Sequence, residues 1–416
     1  MRISELHLKN FRNYEDLELE FGPGINVFYG QNGQGKTNVL EAIYLTTCAR
    51  SHRHASDVDM IRFGTDAYEV LLRFLPHGSY QEELQIQFFK AQRGDPRLKV
   101  NRRQVFHDGL QLPRISDLPG IFNAVIFAPE DLMMVKEGPA TRRQFLDLLL
   151  SQVHPSYFRS LQNFSKHLRQ RNALLKQLRD DRFASRHTAR GGAKKPEQDS
   201  SETDAIVLPN FREVQLDTWT EQYATFAAEI IFERWRHVAR LEEAAAEFHR
   251  EMSQGKEEIH LRYRTVSGLD QEMSVEEIYE HLIERLRRSQ EDDIERGSTS
   301  IGPHRDDLEF RLNDRLLKIF GSQGQQRSAV LSLKMAELEI MRRDTGRSPV
   351  LLLDDVMSEL DASRRQSLIQ AMADCQVFIT CTDPEQIRRE YLELDPERDL
   401  RFFQVSDGHA ELVECF

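Results

Sequence analysis

The organisation of this chain follows from one segment, Gly30-Gln31-Asn32-Gly33-Gln34-Gly35-Lys36-Thr37. The apolar run 25–29 precedes it, and a helical pattern over 38–45 follows. A strand, a glycine turn and a helix in this order are the context of a phosphate-binding loop. Backbone N–H groups in such a turn point inward, and the N-terminus of the helix adds its positive end. The segment therefore predicts a nucleoside triphosphate site.

Each part of this loop has an expected role toward the nucleotide. Lys36 is expected to reach the outer phosphates, and the Thr37 hydroxyl is expected to ligate the accompanying Mg²⁺. The predicted cofactors are ATP and Mg²⁺. The loop residues predicted to bind the nucleotide are Gly30, Gln31, Asn32, Gly33, Gln34, Gly35, Lys36 and Thr37.

Length and composition indicate a globular protein of two or three domains. The chain has 416 residues, of which 39% are apolar, enough for a large core. No apolar run is long enough to span a bilayer, and residues 1–5 begin an ordinary strand pattern rather than a signal peptide. We expect a soluble, cytoplasmic protein. Reduced structural thiols, rather than a zinc site, are expected for Cys48, Cys375, Cys381 and Cys415.

The charge is unevenly distributed along the chain. The formal net charge is −12, which by itself argues against a nucleic-acid partner. Between Arg142 and Lys195, however, thirteen Lys and Arg stand against three Asp, a local balance of +10. A second basic island, from Arg93 to Arg103, has five Lys and Arg against one Asp. Two basic islands favour a polyanion-binding face, with a solvated helix surface as the alternative.

The secondary-structure pattern divides the chain into three parts. Strands are predicted at 4–8, 17–21, 68–75, 83–90, 98–105 and 124–127, with 101–103 near a hairpin tip. Helices are predicted over 139–150, 157–178 and 214–251, the last with Trp219, Phe226, Ile230 and Trp235 on one apolar face. Residues 180–210 are polar and lack a hydrophobic period, which predicts a disordered insertion. We expect an α/β ATPase head in two parts, 1–137 and 299–416, split by a helical arm domain over 138–298.

Two carboxylates end the apolar strand pattern 349–353. Asp354 is expected to contact Mg²⁺ opposite Thr37, and Asp355 to orient or deprotonate the water that attacks the γ-phosphate. The alternative is that the acidic pair merely caps the next helix. Lys36, Asp354 and Asp355 are therefore the predicted catalytic residues, and Thr37 and Asp354 the predicted metal ligands.

A second anion-binding element follows the arm. Ser322-Gln323-Gly324-Gln325 leads into a helix predicted over 329–341, and a Ser and a Gly at a helix N-terminus suit a phosphate. The first loop already holds the phosphates of its own nucleotide. Ser322, Gly324 and Gln325 are therefore predicted to face the ATP of another copy, so that the protein dimerises with ATP.

Together these segments resemble the ABC-type ATPases of the SMC class. The Walker A, signature, Walker B and D-loop elements of that class are matched by 30–37, 322–327, 351–355 and 358–361. Within the class the chain is similar to the RecF family in the ordered motifs 6–14, 51–53, 129–132, 142–147 and 302–307. The resemblance covers nearly the whole chain outside 180–210. It implies a P-loop ATPase head with a β-rich N-terminal part and an inserted helical arm.

The resemblance also implies a function. Such a protein is an ATP-dependent DNA-binding protein of DNA replication and recombinational repair that acts in the SOS response. It would bind single-stranded DNA and gapped duplex, dimerise with ATP, and help RecA load at gaps together with RecO and RecR. Its slow, DNA-dependent hydrolysis would serve as a switch that releases DNA. The two basic islands are the expected phosphate contacts, which position a protein on DNA without selecting a sequence.

The chain departs from many ABC ATPases at two positions near the magnesium site. The segment 128–131 stands where many of them offer a Gln to the metal, as it does in RecF-like sequences, so that contact is unassigned. The segment 380–382 stands where many relatives place a His against the γ-phosphate, which suggests slow turnover. The alternatives are another SMC-like P-loop ATPase and the nucleotide-binding subunit of a transporter.

Overall fold

A computed structural model describes the chain except for residues 54, 77–79, 92–99, 191–210, 386, 390–397 and 414–416. The described residues form two compact units. The head unit comprises 1–155, 238–262 and 309–416, and the arm unit comprises 156–237 and 263–308. These boundaries differ from the expected ones at 138 and 299, because the helix Pro139–Val153 contacts the helices Lys36–Cys48 and Gln323–Thr345 of the head unit.

A six-stranded sheet carries the phosphate loop in the head unit. Five neighbouring strands are parallel and the outermost, β15, is antiparallel. Register places Asp354 beside Thr380 and Cys381 beside Tyr29, so the carboxyl ends of three strands meet at one edge. In spatial order the strands are His409–Val413 (β15), Leu400–Ser406 (β14), Ile25–Tyr29 (β3), Val377–Cys381 (β13), Val350–Asp354 (β12) and Ala124–Phe127 (β8).

A second six-stranded sheet, antiparallel throughout, belongs to the same unit. Its last long strand begins at Arg102; of the predicted start at 98, residues 98 and 99 lie outside the described chain and 100–101 are not in a strand. The strand ends at the Asp108-Gly109 turn, across which His107 pairs with Leu110. Both turn residues have positive φ, 50° and 74°, as a tight hairpin requires. Residues 101–103 were predicted near a hairpin tip; Arg102 and Arg103 begin this strand and pair with Phe89 and Phe88. The connection before them falls largely on residues 92–99, outside the described chain. The strands in spatial order are Tyr14–Glu20 (β2), Arg2–Phe11 (β1), Ala67–Leu75 (β4), Glu82–Phe89 (β5), Arg102–His107 (β6) and Leu110–Gln111 (β7).

Seven α-helices of the head unit are described. The first begins at Lys36, as predicted, after Gly35 with φ 116°, a left-handed conformation that favours glycine. The helix predicted at 329–341 begins earlier, at Gln323, because Ser322 and Gln325 form a capping box. The helices are Lys36–Cys48 (α1), Asp57–Met60 (α2), Met133–Lys136 (α3), Pro139–Val153 (α4), Leu317–Phe320 (α9), Gln323–Thr345 (α10) and Ala362–Ala371 (α11). Short 3₁₀ turns cover Ile115–Asp117, Pro129–Leu132 and Met357–Glu359.

The arm unit is mainly helical. Its first helix continues to Arg190, so the predicted disorder does not begin at 180; no Gly or Pro interrupts the chain before Gly191. The rest of that prediction, 191–210, lies outside the described residues. The helices are Pro155–Arg190 (α5), Phe211–Met252 (α6), Val275–Arg288 (α7) and Gln290–Arg296 (α8), with a 3₁₀ turn at Pro303–Arg305. Residues 238–252 of α6 belong to the head unit. A three-stranded sheet, most of whose residues belong to the head unit, contains Arg315–Leu316 (β11), Asp307–Leu312 (β10) and Ile259–Arg264 (β9), in that order.

The interior of the arm unit contains buried charge as well as apolar side chains. Arg171 is fully buried and donates to Asp293 Oδ2 at 2.9 Å and to Thr299 Oγ1 at 2.6 Å. The predicted apolar face of α6 is only partly correct, because Trp219, Phe226 and Trp235 are half-buried. The fully buried positions include Leu216, Tyr223, Ala224, Ala227, Ala228, Ile230 and Ile231. None of the described helices is both long and apolar enough to cross a membrane.

Candidate nucleotide site

The phosphate loop holds its lysine through two of its own carbonyl oxygens. Lys36 Nζ donates to the carbonyl oxygens of Gly30 at 2.7 Å and Gln31 at 2.9 Å. Burial lowers the pKa of Lys36, although the Asp355 and Asp354 carboxylates favour its charged form. The ammonium is therefore inside the loop, at the place where phosphate oxygens are expected.

The turn between β1 and β2 clamps this loop from outside. Asn13 Nδ2 donates to Gln34 O at 2.8 Å, and the Tyr14 hydroxyl donates to Gly35 O at 3.0 Å. A Cβ at Gly35 would lie 2.5 Å from Asn13 Nδ2, so the approach requires glycine. Asn38 Nδ2, at the start of α1, donates to Asn13 Oδ1 at 2.8 Å. Residues 13 and 14 of the motif at 6–14 therefore hold the phosphate loop in its conformation.

The two predicted metal ligands meet directly. Thr37 Oγ1 donates to Asp354 Oδ1 at 2.8 Å, and Thr380 Oγ1 donates to the same oxygen at 2.7 Å. Burial raises the pKa of Asp354, while these two hydrogen bonds oppose the rise. A hydroxyl and a carboxylate are the oxygen ligands that Mg²⁺ prefers, so this pair fits the predicted metal.

Thr380 has a role that the sequence did not indicate. Its hydroxyl donates to Asp354 and also accepts a hydrogen bond from the Asp355 backbone N–H at 2.9 Å. The expectation that the segment 380–382 stands where many relatives place a His against the γ-phosphate stays a prediction, and Thr380 does line the cavity of the phosphate loop. Asp355 itself has φ 52°, in the left-handed region.

A single polar cavity collects most of the predicted residues. Arg53 also lines it, so the segment at 51–53 does return to the phosphate loop; its guanidinium lies 3.8 Å from the Glu130 carboxylate. Gly30, Gln31 and Gln34 contribute carbonyl oxygens that accept hydrogen bonds. The lining residues are Asn32, Gly33, Gly35, Lys36, Thr37, Asn38, Arg53, Asp354, Asp355 and Thr380.

The second predicted anion element, residues Ser322–Gln325, is called here the signature turn. Ser322 caps α10: its Oγ accepts from the Gln325 backbone N–H at 3.2 Å, and its own N–H donates to Gln325 Oε1 at 2.8 Å. Ser322 is exposed, and a Cβ at Gly324 would have no neighbour closer than 3.9 Å. None of the signature-turn residues lines the cavity of the phosphate loop. Within one chain, the two predicted elements do not share that cavity.

Comparison with known proteins finds relatives that match nearly the whole chain. The family described as RecF/RecN/SMC N terminal domain matches residues 2–394. The DNA replication and repair protein RecF of Ruminiclostridium cellulolyticum is 39% identical over 388 residues, covering 92% of this chain and 94% of that protein. The RecF protein of Lysinibacillus sphaericus is 37% identical, covering 99% of this chain and 100% of that protein. The chain belongs to the RecF family.

A solved RecF structure supports this assignment at the level of the fold. The recombination mediator protein RecF with ATP, of the RecFOR pathway, aligns with a TM-score of 0.81 at 31% identity, covering 99% of this chain and 97% of that chain. The predicted resemblance to RecF and the predicted ATPase head of the SMC class are thus confirmed. The protein is a RecF-type protein of DNA replication and repair.

A buried ion pair connects two of the RecF motifs. The Glu41 side chain is fully buried in α1, and its two oxygens accept from Arg12 at 2.7 and 2.8 Å. The Ser51 hydroxyl donates to the same carboxylate at 2.5 Å. Burial opposes the charge, but the hydrogen bonds from Arg12 and Ser51 lower the pKa of Glu41 below its usual range. This carboxylate thereby joins the turn at 12, helix α1 and the segment at 51–53.

We expect Glu41→Gln to lower the free energy of unfolding by about 3 kcal/mol at neutral pH, because it breaks a buried ion pair. The folded-state pKa is below the ordinary value of 4.5, so the stabilisation is complete above that value and is lost as the pH falls through the folded pKa. Urea unfolding at a series of pH values measures both effects. Glu15→Gln, at a carboxylate 74% exposed, is the control and should cost below about 1 kcal/mol. If the difference in free energy of unfolding between the native protein and Glu41→Gln grew as the pH fell, the assigned ion pair would be contradicted.

Proposed function

We propose that this RecF-family protein is an ATP-dependent DNA-binding switch. ATP with Mg²⁺ binds the phosphate loop, two copies then close over two nucleotides, and the closed dimer holds DNA until slow hydrolysis releases it. Single-stranded DNA and gapped duplex are the proposed ligands, and RecO, RecR and RecA the proposed partners in loading at gaps. The observation that carries the proposal is the exposed signature turn. It lies outside the cavity of its own phosphate loop, so a second copy is needed to complete the site.

The arm unit offers a surface for the DNA backbone. Arg159, Lys166, Arg169 and Lys176 are exposed on α5, and their spacing of 7, 3 and 7 residues keeps them within one side of the helix. They span about 25 Å along the helix axis. None of the four forms an ion pair with another described residue. We call them the α5 stripe, and phosphate contacts by such a stripe would be independent of sequence.

Three arginines of the two basic islands are buried or paired, so fewer residues of these islands are candidates for DNA contacts. Arg171 is buried in the arm unit, and Arg142 is buried and donates to Met134 O at 2.9 Å. Arg103, in the second island, forms an ion pair with Asp57 and is only 17% exposed. These three arginines stabilise the fold and are not proposed as DNA contacts. Arg93, Arg97 and Lys99 lie outside the described residues.

The proposal predicts that ATP drives a native dimer onto gapped duplex DNA. We expect light scattering to show dimers with ATP and monomers without it. In the double variant Lys166→Glu, Arg169→Glu, ATP-dependent dimerisation should persist. Its affinity for labelled gapped duplex, measured by fluorescence anisotropy, should fall at least about tenfold, with a shallower salt dependence because fewer counterions are released.

The matched control is Arg287→Glu, an exposed arginine of the arm unit outside the α5 stripe, which should bind DNA like the native protein. A native protein that stays monomeric with ATP and gapped DNA would refute the switch. Native-like DNA affinity in the double variant would refute the stripe as the contact surface. The cytoplasmic location stays a prediction.

A further inference from the structure

The signature turn is held by a side chain that comes from outside helix α10. Gln325 uses both ends of its amide: Oε1 accepts from the Ser322 N–H at 2.8 Å, and Nε2 donates to Glu257 Oε1 at 2.8 Å. Glu257 lies between the end of α6 and strand β9, in the head unit. The orientation of the Gln325 amide, and with it the cap on Ser322, therefore depends on Glu257.

The second oxygen of Glu257 leads to a buried histidine. His249 Nε2 lies 3.2 Å from Glu257 Oε2, and His249 Nδ1 lies 3.1 Å from Ser332 Oγ. Ser332 is on α10, the helix that the signature turn begins, and its hydroxyl donates to Ser328 O at 2.8 Å. The His249 side chain is fully buried in the last turns of α6. It therefore binds α10 at one nitrogen and the partner of Gln325 at the other.

We propose that His249, Glu257 and Gln325 form a relay through which helix α6 sets the conformation of the signature turn. The inference rests on the proposed function, in which that turn faces the nucleotide of a second copy. Helix α6 is continuous from residue 211 to 252, and its residues 211–237 belong to the arm unit. A change in α6 caused by DNA would reach Ser322 through three hydrogen-bonded side chains. These are positioning residues, which act through the signature turn and not on ATP directly.

Polar groups at this place favour a relay over simple packing. A fully buried histidine bonded to a carboxylate gives little net stability compared with apolar side chains of similar volume. Its geometric effect is larger, because each hydrogen bond has a preferred direction. Without Glu257, the Gln325 amide is free to rotate and the capping box loses its fixed Oε1 acceptor. The signature turn would then be ordered in a smaller fraction of the molecules. Because only the ordered turn can close onto a second nucleotide, dimerisation would weaken by that fraction.

The test compares His249→Leu, His249→Gln and Glu257→Leu with the native protein. Thermal unfolding first checks that each variant is folded. We expect the affinity of the monomer for a fluorescent ATP analogue to stay within about twofold, while ATP-dependent dimerisation weakens about tenfold or more in His249→Leu and Glu257→Leu. The stimulation of ATP hydrolysis by gapped DNA should be lost in the same two variants. His249→Gln, whose amide can donate to Glu257, should retain part of the ATP-dependent dimerisation and part of the stimulation by gapped DNA.

His260→Leu is the matched control. Its imidazole lies 3.1 Å from Glu242 of α6, without a bond to the signature turn, and the variant should behave like the native protein. Native-like dimerisation and DNA stimulation in Glu257→Leu would overturn the relay and leave the switch intact. That variant removes both carboxylate oxygens at a similar side-chain size and leaves His249 in place, so it remains informative if His249→Leu fails to fold. A native protein that neither dimerises with ATP nor responds to DNA would instead refute the proposed function.

Discussion

Lys36→Ala and Ser322→Arg should each abolish ATP-dependent dimerisation, but only Lys36→Ala should abolish ATP binding. The Lys36 ammonium is the cation held inside the phosphate loop, so its removal should weaken ATP binding by at least about 100-fold, or about 2.7 kcal/mol. Ser322 does not line that cavity. An arginine there should leave ATP binding by the monomer within about twofold and block the face presented to a second copy.

Equilibrium binding of a fluorescent ATP analogue and light scattering with ATP separate the two effects. Lys256→Ala, at an exposed lysine of the head unit, is the control for loss of a positive charge. If Ser322→Arg still dimerises with ATP, the signature turn does not face the nucleotide of a second copy. If Lys36→Ala binds ATP with native affinity, the phosphate loop is not the nucleotide site.

Asp355→Asn should nearly stop hydrolysis while ATP binding and dimerisation persist. The substitution removes the carboxylate that is proposed to activate water, and a general base contributes about 10²- to 10⁴-fold to a rate. The backbone should tolerate it, because Asn adopts the left-handed conformation that Asp355 occupies at φ 52° more readily than most residues. The ATP-bound dimer should therefore accumulate, and its dissociation from gapped DNA should slow in proportion to the lost turnover.

Phosphate release under single-turnover conditions measures the hydrolysis step, and light scattering measures the dimer. Asp355→Ala is the matched comparison: it should lose hydrolysis equally and also lose about 1 kcal/mol of stability, because alanine is strained at this φ. Turnover by Asp355→Asn at the native rate would show that another group activates the water.

The parts of this protein that the sequence predicts well are those whose pattern is local. The strand, loop and helix around Lys36 could be placed because periodicity and glycine spacing specify them within about twenty residues. Asp354 was expected opposite Thr37 because an apolar strand ends in a carboxylate in a chain with a phosphate loop, and the two side chains are hydrogen-bonded. The capping box at Ser274 and Glu277, which begins α7, was a local signal that the sequence analysis missed.

Other contacts between distant segments, which no motif specifies, were not predictable from the sequence. The Arg12–Glu41 pair, the bond from Thr380 to Asp354 and the contact of Gln325 with Glu257 each join residues whose types fit many surface positions. The apolar face of α6 was misplaced because small side chains such as Ala227 pack at its centre, while the larger tryptophans lie at its margin. Burial of a charged side chain depends on the tertiary partner, as Arg171 shows.

The order of strands around β3 also determines when the nucleotide loop is assembled during synthesis. Both hydrogen-bonded neighbours of β3, strands β13 and β14, come from residues 377–406, far along the chain from the loop. Such non-local pairing is slow, because a long loop must close before the strand gains partners. A nascent chain that has left the ribosome only as far as the arm has the phosphate loop sequence but not the sheet that supports it. ATP capture is therefore reserved for a chain whose C-terminal strands have already been made.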